Sequence, residues 1–290
     1  MTQTLGVALA FACALTTNLG FLYKHRGVSQ VPSVDFRRPL WSGRQLFSSK
    51  LFTVGMIIAC GSWVFHIGAM AMVPLSVVQA ILAGGIVLLA IMAERAFGVR
   101  IGPRQWAGLS MTGAGLVLLG ISLPAVHGAH SRFSVPAMIA FEAALLVAGT
   151  LLILGPRIGA PAHHHGVMLG AAAGILFGVS DIAIKALTGM VGAHGLMGLA
   201  SPWLIVTVLA SIVAFFASAK GLQDGEAVPV IAVTATAANV AGIVGGLVVF
   251  GDPFPAHVLG IAVQSLAFVL VIVAAWLTPA PTRAVATATA

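Results

Sequence analysis

Nine long apolar stretches follow one another along the chain, separated by short segments that carry Pro, Gly, His and most of the charged residues. They cover about 4–23, 51–71, 74–94, 105–123, 134–154, 166–187, 197–218, 228–250 and 256–277. Each approaches the roughly 20 residues that a helix needs to cross a bilayer, about twice the length of a barrel strand. Backbone polar groups in lipid must be satisfied within the span. The pattern therefore predicts an all-α polytopic membrane protein with nine transmembrane helices.

The composition excludes a water-soluble protein. Apolar residues make up 59% of the chain and charged residues only 7%, whereas soluble domains carry about 25% charged residues. We therefore expect a single membrane domain over 1–277. Residues 278–290 are small, polar and Pro-containing, with nothing to bury, so we expect a disordered tail. Cys13 and Cys60 fall in apolar runs and are interpreted as small core residues.

The basic residues predict the orientation of the bundle. With the N-terminus outside and the C-terminus inside, twelve of the fourteen Lys and Arg residues lie in cytoplasmic segments, while Arg132 lies outside and Lys185 within a span. This bias matches the positive-inside rule. We expect a multi-pass protein of the inner or plasma membrane. The basic loops then face anionic lipid, and no basic and aromatic surface suggests a nucleic-acid partner.

Two parts of the chain share one layout. A Pro-led helix over 73–98 and another over 228–254 are each followed by a further apolar span, and the first and sixth spans both carry a late polar cluster. The offset of five spans inverts the second unit relative to the first. A 4+1+4 plan follows, with repeats over about 4–123 and 166–277 and the helix 134–154 between them. Inverted repeats are typical of secondary transporters.

The same residues resemble a known superfamily. A Pro-Leu-Ser helix ends in Glu-Arg and precedes a Gly-punctuated helix, and the sixth span ends in IAIKAL; the residues concerned are Pro74, Leu75, Ser76, Glu94, Arg95, Trp106, Gly108, Gly113 and Gly120. This order resembles the drug/metabolite transporter superfamily and is most similar to its NIPA-type magnesium transporter branch. The resemblance implies an alternating-access carrier, for Mg²⁺ in that branch or for metabolites and drugs in other branches. One departure is Asp252, in a turn where the family pattern has a Glu.

The sixth span carries the clearest candidate site. Glycines recur every four residues at Gly166, Gly170, Gly174 and Gly178, which places them on one helix face and predicts close helix packing there. Asp181 and Lys185 project into the same arc, so both charges are expected to point into the bundle. Two interpretations stay open: a structural ion pair at i and i+4, or a role in substrate or proton binding.

Glu142 is the deepest carboxylate, near the middle of the fifth span, and has no basic residue within one turn. Burial favours its neutral form, which makes Glu142 a candidate proton-coupling group; the alternative is a protonated side chain bonded to a neighbouring helix. Asp181 and Glu142 together would offer two hard oxygen ligands for Mg²⁺.

Three buried amides complete the candidate residues: Asn18, Gln79 and Asn239. Each must find a partner or line a wet cavity, so interhelical hydrogen bonding and substrate contact both stay open. His66 is interpreted as a packed polar residue rather than a ligand. The run His163, His164 and His165 lies in a short loop, where a shared metal ion is not expected.

No P-loop and no nucleophile and base pair are found, so we expect neither an enzyme nor a cofactor. The sequence predicts a secondary transporter of a small substrate, with Mg²⁺ favoured, around a site lined by spans one, three, six and eight. The alternatives are a proton-coupled exporter of metabolites or drugs and a non-transporting scaffold, and the Gly-rich faces leave a homodimer open. Acidic side chains in the wall of the central cavity would favour Mg²⁺ as the substrate. Aromatic side chains there would favour a metabolite or drug.

Overall fold

The computed structural model describes residues 2–97, 102–103, 106–108, 110–111, 114–115, 118, 131–159, 161, 164–225, 227–252 and 257–277. Nine α-helices have described bounds, and no strand occurs in these ranges. They are α1 (Thr2–Val28), α2 (Pro39–Ser48), α3 (Lys50–Met72), α4 (Leu75–Phe97), α5 (Val135–Leu154), α6 (His165–His194), α7 (Pro202–Asp224), α8 (Ala227–Val249) and α9 (Val258–Leu277). The tail 278–290 and most of the fourth predicted span, 105–123, lie outside the described residues, so the count of nine spans stays a prediction.

Six helical segments in the described part are long and apolar enough to cross a membrane: Gln3–Val28, Lys50–Met72, Val135–Ile158, His165–Leu199, Pro202–Asp224 and Pro229–Val249. Two shorter apolar helical segments, Leu75–Gly85 and Val258–Ala267, belong to α4 and α9. Large apolar side chains such as Ile57, Val64 and Ile205 are more than half exposed. Such a surface fits lipid as the solvent.

The structure corrects two expectations about helix ends. The basic segment 24–50 is not only a linker, because α1 continues to Val28 and Pro39 begins the short helix α2, which buries Ser42 and Leu46. The seventh span begins at Pro202 rather than at 197, because the Ser201 side chain caps the helix by accepting a hydrogen bond from the Trp203 backbone N–H. Hydropathy misses the first boundary because α1 continues through the basic residues 24–26. It misses the second because mostly apolar residues precede Pro202.

The helix α6 forms the centre of the bundle. In an apolar stretch of 18 residues of this helix 72% of the residues are buried, against 17% in the corresponding stretch of α5 and 22% in that of α3. It packs against α7, α8 and α5, while α1 packs against α3 and α4, and α4 contacts α8 across the middle. Buried apolar residues form two clusters: Met70, Val73 and Ile182 belong to one, and Phe21 and Phe52 to the other.

The linker between α1 and α2 folds back onto the end of α7. The Gln223 Oε1 atom accepts a hydrogen bond from the Val34 backbone N–H at 2.7 Å, and its amide donates to the Val28 and Pro32 carbonyls. Lys220 donates to the Ser33 hydroxyl at 2.8 Å. We call this the linker end of the bundle, and the opposite end, at the α3 to α4 turn around Val73, the hairpin end.

Glycines on α6 bring its backbone against α8. A Cβ atom at Gly174 would lie 2.2 Å from the Thr234 carbonyl oxygen, and one at Gly178 would lie 2.5 Å from the Ala241 Cβ. At Gly170 the nearest atom, the Val230 carbonyl oxygen, would be 3.0 Å away, and Gly166 faces the turn at Gly225. Contact between backbones at this face leaves no room for a side chain.

We predict that Gly174→Ala destabilises the bundle by about 1–3 kcal/mol, because the added methyl overpacks a rigid backbone contact. The measurement is the midpoint temperature of thermal unfolding of the detergent-purified protein. Gly61→Ala on α3 is the matched control, since a Cβ at Gly61 meets nothing within 4 Å. Equal midpoints for the two variants would contradict the predicted contact.

Candidate functional site in a central cavity

A cavity of about 370 Å³ lies between α1, α3, α4, α6, α7 and α8. Its walls are of two kinds. One region carries polar side chains, and we call it the polar pole: Asn18, His66, Gln79, Asp181 and Asn239. The rest is mainly apolar, with Phe21, Phe52, Met56, Trp63, Leu82, Phe177, Phe215 and Leu222. The cavity thus includes the four spans expected from the sequence, and α3 and α7 in addition.

Asp181 organises the polar pole. Its Oδ1 atom lies 2.9 Å from the Nε2 atom of His66 on α3, and its Oδ2 atom accepts a hydrogen bond of 2.7 Å from the Nε2 atom of Gln79 on α4. All three side chains are buried. A hydrogen bond to a charged group contributes about 1.5–3 kcal/mol, so Asp181 ties α6 firmly to both arms of the α3–α4 hairpin.

Two amide atoms of the polar pole keep unused hydrogen-bonding capacity. Within the described part of the chain, the Gln79 Oε1 and Asn239 Nδ2 atoms are buried and have no hydrogen-bond partner. An unsatisfied buried polar atom costs about 1–3 kcal/mol. The pole can therefore offer both an acceptor and a donor to a molecule in the cavity.

Asn18 already uses its amide to join two helices. Its Nδ2 atom donates to the Ala14 carbonyl within α1 and to the Gly85 carbonyl on α4, both at 2.8 Å. Gly85 permits this approach, because a Cβ there would lie 2.7 Å from that nitrogen. Asn18 thus contributes interhelical hydrogen bonding as well as cavity wall.

Hydroxyl and thiol groups continue the polar wall along α1 and α3. The Ser62 hydroxyl bonds to the Thr17 hydroxyl, lies 3.3 Å from the Cys13 Sγ atom and donates to the Cys13 carbonyl at 3.2 Å. These neutral groups add polarity without charge.

Lys185 and Asp181 use different partners. The fully buried Lys185 donates to the Met70 and Val73 carbonyls at the end of α3, at 2.8 and 2.9 Å. Asp252, also buried, accepts a 2.9 Å hydrogen bond from the Ser76 N–H in the first turn of α4. A cation at a helix C-terminus and an anion at an N-terminus both suit the helix dipoles. Together the two residues hold the hairpin end.

Glu142 lies on α5 and does not line the cavity. It is buried, and its Oε1 atom has no hydrogen-bond partner within the described residues. The same ranges contain no group of three or more His, Cys, Asp or Glu side chains that could hold a metal ion. Joint binding of Mg²⁺ by Asp181 and Glu142 stays a prediction.

The His-rich loop takes part in a surface contact. The His165 Nδ1 atom lies 2.8 Å from Asp224 Oδ2, and Lys220 donates to the other carboxylate oxygen at 2.6 Å. His163 lies outside the described residues. The contact belongs to the linker end and not to the cavity.

Sequence reasoning missed two cavity residues, His66 and Lys24. His66 is buried and hydrogen-bonded, which agrees with its interpretation as a packed polar side chain, but it also lines the cavity. The orientation predicted from the basic residues places Lys24 in a cytoplasmic segment, because it follows the first apolar stretch. In the structure α1 extends past it, and its Nζ atom lies 3.9 Å from the Phe21 ring centroid in the cavity wall.

Comparison with known proteins gives one informative match. No protein-family model matches the chain, and no solved structure matches it. The protein described as "Probable magnesium transporter NIPA9" of Arabidopsis thaliana is 21% identical over 280 residues, which cover 91% of this chain and 79% of that protein. The similarity therefore extends over nearly all the helices described above.

We predict that Lys185→Met destabilises the protein by about 1–3 kcal/mol, because the Met70 and Val73 carbonyls lose a buried donor. Thermal unfolding in detergent measures the effect. Lys50→Met serves as control, since Lys50 is exposed at the start of α3. A midpoint for Lys185→Met at or above that of Lys50→Met would contradict the structural role.

Proposed function

We propose that this protein is a secondary transporter that carries a small solute through the central cavity of a cell membrane bundle. The observation that carries the proposal is the cavity itself, whose polar pole joins α6 to α3 and α4 through Asp181. An ionisable side chain held inside a membrane bundle beside a cavity is typical of a substrate or proton pathway. Similarity to a probable magnesium transporter over 91% of the chain supports a transport function.

The packing pattern supports movement of two units. In the first half α1 packs against α3 and α4, and in the second half α6 packs in the same way against α7 and α8, with α4 against α8 between them. This correspondence fits inverted units over about 4–123 and 166–277, joined through the helix 134–154. Rocking of one unit against the other would expose the cavity to each side of the membrane in turn.

The polar pole supports proton coupling. His66 and Asp181 share a buried 2.9 Å contact between α3 and α6. Gain or loss of a proton by this pair changes the charge of a group that holds two helices together. Glu142 is a second candidate for the coupling proton, because it is buried with an unpaired oxygen. Both features favour a transporter over a closed, non-transporting scaffold.

The cavity wall favours an organic solute. Among the described residues of the lining, Asp181 is the single carboxylate, whereas five side chains are aromatic: Phe21, Phe52, Trp63, Phe177 and Phe215. Sites for small molecules occupy about 300–1,000 Å³ and are mostly apolar with a few polar groups, and the cavity of about 370 Å³ agrees with both features. The substrate class we propose is a small organic molecule with an apolar body.

Mg²⁺ is a second candidate substrate. The name of the Arabidopsis relative favours it, and so does the unpaired Gln79 Oε1 atom beside Asp181. Mg²⁺ prefers hard oxygen ligands, retains several waters and often uses one or two carboxylates. A largely hydrated ion could contact the polar pole alone.

We predict that Asp181→Asn lowers transport by about tenfold or more, since the neutral amide cannot replace the charge-assisted contact to His66. Proteoliposomes with an entrapped pH dye and an imposed pH gradient measure the transport of organic amines, acids and neutral analogues. A second set with an entrapped Mg²⁺ dye reports the cation. Asp35→Asn is the control, because Asp35 lies in the linker and its carboxylate accepts the Arg37 backbone N–H.

Three outcomes separate the candidates. Organic flux that Asp181→Asn reduces supports the proposed function. Flux of Mg²⁺ without flux of any organic solute would support Mg²⁺ as the substrate instead. If correctly folded protein moves no solute faster than empty liposomes, the transporter proposal is wrong and the scaffold takes its place.

A further inference from the structure

Lys24 is the cation at the linker end of the cavity. Its side chain belongs to the lining, and its Nζ atom lies 3.9 Å from the centroid of the Phe21 ring. By the charge bias of the loops, this end faces the cytoplasm. A lysine that only anchors a helix at the bilayer surface extends its head into water. Lys24 instead holds its ammonium against an aromatic cavity wall.

A close helix contact directs the Lys24 stem. A Cβ atom at Gly55 on α3 would lie 2.8 Å from the Lys24 Cγ atom and 2.8 Å from the Gly20 carbonyl oxygen. The backbones of α1 and α3 therefore touch at this level, and the lysine stem passes over the glycine. The absence of a side chain at Gly55 gives the stem its path along the wall.

The charges in the cavity leave Lys24 as an available cation. The described part of the lining contains one carboxylate, Asp181, and both of its oxygens contact His66 or Gln79. Within the described residues, no ion pair joins Lys24 to an acid. A ring face attracts a cation by about 0.5–2 kcal/mol, which offsets only part of the cost of removing an ammonium from water.

We propose that Lys24 recognises a negatively charged group, such as a carboxylate, on a small organic substrate whose apolar body lies against the aromatic wall. This assignment rests on the proposed transport function and specifies its substrate as an organic anion. The same ammonium repels a divalent cation, so it weighs against Mg²⁺ at the linker end. Asp181 and the amides would then contact the polar or proton-bearing part of the molecule.

Cys60 provides a reporter that does not require the natural substrate. It lines the same cavity and is exposed, whereas Cys13, the other cysteine of the chain, is buried. In full-length Cys13→Ala protein, Cys60 is the sole thiol. Its thiolate attacks a methanethiosulfonate reagent, forms a mixed disulfide and expels methanesulfinate. The reagents are the anionic 2-sulfonatoethyl and cationic 2-trimethylammonioethyl forms, each normalised to its rate with a free thiol in solution.

We expect the anionic reagent to be favoured at Cys60, and Lys24→Gln to reduce the anion to cation rate ratio by about fivefold or more, given the field of one charge in the wall of the same cavity. Lys24→Arg should keep most of the preference, and Lys50→Gln at the exposed start of α3 should leave it unchanged. Size-exclusion profiles verify that each variant is folded. No anion preference, or the same ratio after Lys24→Gln, overturns the proposal.

A transport measurement distinguishes the failure of this proposal from the failure of the proposed function. The proteoliposomes receive 3-phenylpropanoate, 3-phenylpropanamide and 3-phenylpropylamine, which share one apolar body and differ in charge. Carboxylate transport that falls in Lys24→Gln supports both proposals. An anion preference at Cys60 without any flux keeps the recognition site but removes the transport function. Flux that ignores both substrate charge and Lys24 keeps transport and rejects Lys24 as the recognition residue.

Discussion

Backbone contact between α6 and α8 determines where the remaining helices can lie. A methyl group at Gly174 would come within 2.2 Å of the Thr234 carbonyl oxygen, so the two helix axes are as close as their main chains allow. Among the described membrane spans, α6 has the largest buried share. The same contact places Asp181 of α6 and Asn239 of α8 on the wall of one cavity. Side chains of ordinary size at the glycine positions would separate the elements that form the polar pole.

Buried polar groups then replace hydrophobic contact as the specific link between the halves. Lipid is as apolar as leucine, so helices gain little by hiding apolar surface from it, and packing and hydrogen bonds carry more of the association. Asp181 contacts two side chains, Lys185 two carbonyls and Asp252 one N–H, each on another helix. These links are directional, and they concentrate on the α3–α4 hairpin.

The helical class and the presence of several membrane spans could be predicted from the sequence, because both follow from local apolar runs and their length. The glycine spacing of α6 is also local information, but the partner helix is not. The role of His66 depends on Asp181, which lies 115 residues further along the chain, and no spacing rule connects them. The start of α7 at Pro202 depends on the Ser201 cap, which hydropathy does not detect, and the end of α1 at Val28 lies beyond three basic residues that hydropathy assigns to a loop.

The position of Lys185 has a mechanical consequence. It lies four residues after Asp181, about 6 Å along the same helix, and the two residues grip the α3–α4 hairpin at its arms and at its tip. Because both side chains of one helix contact the hairpin, α6 and the α3–α4 hairpin are joined at two levels. Two attachment points restrict rotation of the helix relative to the hairpin more than a single one does.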